Sequence, residues 1–128
     1  MPFGVALPAE LTWETRPHEP GEPARHVAEL SEQLGSTQVP SNLWRYEPGA
    51  RGKRHVHAIQ EETFVVLSGA LTMYVGEPAE RVDVPFGGAI TIPCGVALQT
   101  ANHGEQDLLV YAYGCPPDQG ATVIDPVV

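Results

Sequence analysis

From Ser41 onward the chain is a succession of short runs rich in β-branched and aromatic residues, and this constrains its fold more than any other feature. The runs begin at Asn42, His55, Thr63, Leu71, Arg81, Ala89, Ala97 and Asp107. Turn signals separate them: Pro48-Gly49, Ser68-Gly69, Gly76-Glu77-Pro78, Phe86-Gly87-Gly88, Pro93-Cys94-Gly95 and Asn102-His103-Gly104. Eight short strands at such spacing predict an all-β sandwich or barrel. No helix long enough for a βαβ unit interrupts them. The 13 Gly and 13 Pro fall between the apolar runs, so they punctuate turns and do not form a low-complexity tract.

Residues 1–40 read differently. Two polar, Pro-bearing patches, Arg16 to Pro23 and Gly35 to Pro40, flank Val27, Leu30 and Leu34, whose spacing predicts one short helix ended by Gly35. This region is expected to be an N-terminal arm on the main body or on a second subunit. Residues 41–115 form the barrel and 116–128 a Pro-bearing C-terminal tail, one domain overall, as the length of 128 residues suggests.

The formal charge of −9 argues against partners that are themselves polyanions, so neither nucleic acid nor an anionic membrane surface is expected. No stretch approaches the roughly 20 apolar residues that span a bilayer. The N-terminus lacks the basic and apolar regions of a secretory signal, and two cysteines, Cys94 and Cys115, make no disulfide framework. A cytoplasmic protein with reduced thiols is the expectation. Four of the seven basic residues, Arg45, Arg51, Lys53 and Arg54, lie within ten positions. They form either a solvated strand and turn or a positive rim that attracts an anionic small molecule.

The segment from Gly49 to Gly69 carries the chemistry. His55 and His57 are two apart, so on an extended strand they share a face. Glu62 follows across a short turn and is able to meet them. Two imidazoles and a carboxylate converging inside a barrel suit a divalent transition metal. An H-x-H pair alone is weak evidence; it gains force from Glu62 and the two glycines at fixed offsets.

That stretch resembles the first motif of the cupins: glycine, five residues, H-x-H, three or four residues, glutamate, six residues, glycine. A second stretch, with Gly87, Pro93, Gly95 and Asn102, resembles the second cupin motif in spacing, and the interval between the two is within the family's range. The resemblance implies a cupin-type antiparallel β-barrel, a double-stranded β-helix or jelly roll. It also implies a metal site at His55, His57 and Glu62, and a homodimer. At one position the chain departs from the pattern. The histidine expected three residues after the second glycine, normally the fourth ligand, is Leu98.

Two consequences stay open. A two-histidine, one-carboxylate centre with open positions would suit oxygen or Lewis-acid chemistry with iron, manganese, nickel or zinc, as in a dioxygenase or isomerase. Alternatively Leu98 makes the wall apolar, metal affinity falls, and the barrel is a small-molecule pocket with the histidines as hydrogen-bonding groups. In either case the ligand is expected against Lys53, Phe64, Val66, Leu98 and Thr100. Gln99 should face away from Leu98, and Asn102 should support the turn after it. Trp13, Trp44, Tyr46, Tyr111 and Tyr113 read as packing or interface residues. No serine has the glycine context of a catalytic nucleophile, and no phosphate-cradling glycine loop precedes a helix.

Overall fold

A computed structural model describes residues 2–118 and 120–128. The eight runs become eight strands: β3 (Ser41–Tyr46), β4 (His55–Val56), β5 (Glu61–Ser68), β6 (Ala70–Val75), β7 (Glu80–Pro85), β8 (Ala89–Ile92), β9 (Leu98–Ala101) and β10 (Leu108–Cys115). They divide between two antiparallel sheets. One has the order β1-β2-β3-β10-β5-β8 and the other β11-β4-β9-β6-β7, where β1 is Trp13–Thr15, β2 is Arg25–Ala28 and β11 is Thr122–Val123. Neighbours such as β3 and β10 are far apart in sequence, which is the crossing pattern of a double-stranded β-helix.

Alternation along each strand builds the core. On β10, Leu108, Val110 and Ala112 are buried while Leu109, Tyr111 and Tyr113 are less so. Phe64 and Val66 face inward on β5, and Leu71 and Met73 are fully enclosed on β6. Truncating such a side chain typically costs about 2–5 kcal/mol, so these positions fix the distance between the sheets. Gly69 joins β5 to β6 with φ at +77°, and a Cβ there would lie 2.7 Å from the Asp107 carbonyl oxygen. Both constraints exclude other residues at that turn.

The segments expected as arm and tail both contribute strands. β2 pairs with β3 and β1 pairs with β2, extending the first sheet. β11 pairs with β4 at the edge of the second. Val27, grouped by its spacing with a helix, lies in β2 opposite Trp44. Pairing with an available sheet edge outweighs a three-four apolar spacing over so short a segment. The helix α1 is confined to Leu30–Leu34, and Gly35 ends it with φ at 71°. No helix among the described residues is long and apolar enough to cross a membrane.

Candidate metal centre and cavity

β4, β5, β9 and β3 surround a cavity of about 350 Å³ between the sheets. His55 enters from β4 and His57 from the residues just after it, while Glu62 enters from β5. One ligand atom from each of the three lies within 4.8 Å of the others. The Nε2 of His57 is 3.3 Å from Glu62 Oε1, and that of His55 is 3.9 Å from it. Donors around a transition metal at about 2.1 Å stand roughly 3.0–3.4 Å apart for octahedral to tetrahedral angles. The His57–Glu62 spacing already fits, and the other needs a shift of about half an ångström on the same scale.

The other ring nitrogens settle the protons. His55 Nδ1 lies 2.8 Å from the Lys53 carbonyl oxygen, and His57 Nδ1 lies 3.1 Å from Asp118 Oδ2. A carbonyl and an ionised carboxylate only accept, so each Nδ1 carries the proton and donates. In the neutral rings each Nε2 then presents a lone pair. His57 Nε2 and Glu62 Oε1 are both buried and neither has a hydrogen-bond partner. Two buried acceptors 3.3 Å apart are a costly arrangement unless a cation, metal or proton, sits between them. An outer carboxylate or carbonyl that fixes the ring of a histidine is also the usual support of a metal ligand. The donor set therefore fits a divalent transition metal. Burial disfavours charge on His55, but the Glu62 carboxylate and the Lys53 carbonyl outweigh it and hold its pKa above the ordinary imidazole value. At 3.9 Å the Glu62 contribution is one of charge more than of hydrogen bonding.

Leu98 stands directly across from His55 in the β4–β9 register and is 1% exposed. It closes that side of the centre with an aliphatic wall. Of the residues expected against a ligand, Lys53, Phe64, Leu98 and Thr100 line the cavity. Val66 does not. It shares the Phe64 face but lies two residues further along β5, about 6.6 Å deeper, and packs in the core at 1% exposure. Thr100 bonds the Tyr46 hydroxyl at 2.7 Å, and Gly52 lies so close behind it that a Cβ there would clash with Thr100 Oγ1. Gln99 faces outward, donating to the Gly52 carbonyl and accepting from the Val127 amide. Asn102 donates to the carbonyls of Tyr46 and Gln106 and accepts from the Gly104 amide. Cys94 is exposed, and His103 bonds Tyr74, so neither supplies a fourth ligand.

Several lining residues escaped the sequence reading. Trp44 and Tyr46, read as packing residues, face the cavity with Asn42, and their spacing of two along β3 was the available signal. Ala121, Val123 and Arg25 come from the two flanks, as does Asp118 bonded to His57, and no spacing relates them to the histidines.

Comparison with known proteins matches residues 42–113, more than half of the chain, to the Cupin domain family. The chain belongs to the cupins. This cupin is 35% identical over 83 residues to auxin-binding protein 1 of Arabidopsis thaliana, a match covering 59% of the chain and 41% of that protein. It thus spans about two fifths of the length of that relative. Among solved structures it is similar to the polyketide cyclase RemF of Streptomyces resistomycificus, with a TM-score of 0.78 at 17% identity over 95% of this chain and 85% of the other. It is also similar to the oxalate decarboxylase of Bacillus subtilis, a protein with Mn(II) centres. There the TM-score is 0.68 at 20% identity, over 85% of this chain and 30% of that one. At these identities the structural likeness establishes the double-stranded β-helix and nothing finer.

Proposed function

We propose that this cupin binds a small oxygen-bearing molecule in its barrel at a divalent transition-metal centre held by His55, His57 and Glu62. The observation that carries this reading is the pair of buried acceptors, His57 Nε2 and Glu62 Oε1, left without partners while both Nδ1 atoms are engaged. Iron, manganese, nickel or zinc each suit two imidazoles and a carboxylate. When bound, such an ion supplies Lewis-acid polarisation of a ligand oxygen, with coordination positions that three protein donors leave open. The protein does the rest. Asp118 and the Lys53 carbonyl hold the imidazole rings, and Trp44, Phe64 and Leu98 exclude water from the apolar part of the ligand. The names of the similar structures, a polyketide cyclase and an oxalate decarboxylase, agree with an oxygen-rich small molecule in such a barrel. A second reading, a metal-dependent isomerase or dioxygenase, is favoured by the Tyr46 hydroxyl, which is buried in the cavity wall beside Thr100 and carries an exchangeable proton.

Elemental analysis of protein purified without a histidine tag or added metal tests the centre. Near-stoichiometric metal that disappears in a His55→Ala/His57→Ala double variant is the expected result. Metal-free protein that takes up no added ion would overturn the reading. A cytoplasmic homodimer, with the open edge at β1 and the half-exposed Trp13 as the contact, is proposed alongside it, and sedimentation of the full chain decides the stoichiometry.

A further inference from the structure

The chain has 16 carboxylate residues and seven Lys and Arg, so a basic side chain should find an acidic partner with ease. Four do. Arg16 reaches Glu29 at 3.6 Å, Arg45 reaches Asp107 at 3.1 Å, Arg54 reaches Glu77 at 2.7 Å and Arg81 reaches Asp83 at 3.2 Å. The sequence cluster of Arg45, Arg51, Lys53 and Arg54 is thereby divided, two of its members being neutralised elsewhere. The three cations without a carboxylate in salt-bridge range among the described residues are Arg25, Arg51 and Lys53, and all three gather at one place. They line an anteroom of about 310 Å³, and Arg25 and Lys53 also line the central cavity. Glu22 borders the anteroom but bonds none of them.

Arg25 is the fixed member of this group. Its backbone is pinned in β2 opposite Tyr46, and its guanidinium lies 5.1 Å over the Trp44 ring and 5.7 Å from that of Tyr46. The stacking holds the planar fork in place while leaving its N–H edge without an acceptor. In a molecule with net charge −9, long-range repulsion works against any anion, so three unneutralised cations at one opening form a local reversal of the field. The same cavity offers Trp44, Phe64 and Leu98 to an apolar body.

We propose that Arg25, with Lys53 beside it, anchors an anionic group, carboxylate or phosphate, on the small molecule that occupies the cavity. The anchor rests on the reading that the cavity takes a small molecule, but it does not require the metal. Arg25 lies outside residues 42–113, so the specificity of the site comes from a strand that the matched domain does not include. A guanidinium recognises either anion through paired N–H donors, and Lys53 adds a point charge.

The test is calorimetric titration with phenylacetate, phenyl phosphate and the uncharged phenylacetamide, using the protein as purified and after stripping with EDTA. Both anions should bind in both states, and the amide should bind much more weakly. Arg25→Gln should weaken the anions by about tenfold or more, Arg25→Lys by less, and Lys53→Ala by the least. Metal content should be unchanged in all three variants, and thermal melting verifies that each is folded. The preference between phenylacetate and phenyl phosphate assigns the anionic group. Anion affinity retained by the EDTA-stripped protein separates failure of the metal centre from failure of the anchor. Equal binding of acid and amide, undiminished anion binding in Arg25→Gln, binding only to metal-loaded protein, or no binding of either anion would each overturn the proposal.

Discussion

The two motif segments of this cupin face each other across one cavity and do opposite work. The first, Gly49 to Gly69, spends its polar residues on the interior: His55, His57 and Glu62 all turn inward, and His57 Nε2 and Glu62 Oε1 are left without partners. The second, Gly87 to Asn102, commits Gln99 and Asn102 to backbone groups of neighbouring segments. Gln99 and Asn102 are 1% exposed yet fully engaged, with backbone carbonyls and amides as partners. Its inward contribution beside His55 is Leu98. A shared framework thus separates chemistry from support, and the presence of a family motif does not reveal which of the two a segment provides.

Substitutions sharpen that contrast. Asn102→Ala removes three hydrogen bonds from a buried turn and strands the Tyr46 and Gln106 carbonyls, so it should cost about 2–4 kcal/mol of stability, read as a lower urea midpoint at constant slope. Its effect on metal per folded molecule should be slight; a large one would erase the distinction between the segments. Asp118→Ala acts on the other side. Loss of the carboxylate that holds the His57 ring should weaken metal binding by about 10- to 100-fold, measured by chelator competition, with little change in melting. Leu98→His turns the second segment into a donor and should tighten metal by about tenfold, because the register places it opposite His55. No gain would mean that the three existing donors do not converge on a common ion.

The smallest effect is expected at the turn before the first segment. The Glu47 carboxylate is held below its ordinary pKa of 4.5 by hydrogen bonds from His26 and the Ala24 amide. A depressed carboxylate pKa contributes stability above the unfolded value and loses it as pH falls through the folded one. The gap in stability between wild type and Glu47→Gln should therefore be present above pH 4.5 and close below it. Because Glu47 is solvent-exposed, that gap should be small, and denaturation midpoints across this range measure it.

The eight strands of the barrel and the convergence of His55, His57 and Glu62 were legible because each rests on local periodicity: two residues per pleat, and glycines at turns of positive φ. What escaped rests on pairing between distant parts of the chain. Val27 joined a strand because β3 offered an open edge, and Trp44 and Tyr46 became cavity walls once β2 brought Arg25 over them. Nothing near Asp118 in sequence signals that it will meet His57, 61 positions away.

Arg54 ties these levels together, since its buried guanidinium bonds the Gly76 and Asp125 carbonyls as well as Glu77. The segment around Asp125 is thereby laced to the barrel, and Arg25, Ala121 and Val123 finish a chamber that residues 42–113 leave with missing walls. On the proposed reading, the smallest fragment able to select a ligand is therefore longer than the fragment that defines the family. Excising the recognisable core for expression, or grafting it between relatives, would carry over the His55, His57 and Glu62 corner and discard the Arg25, Ala121 and Val123 walls. If the cavity takes the proposed ligand, drift in the two flanks alone would retune what enters, with every strand of residues 42–113 left intact.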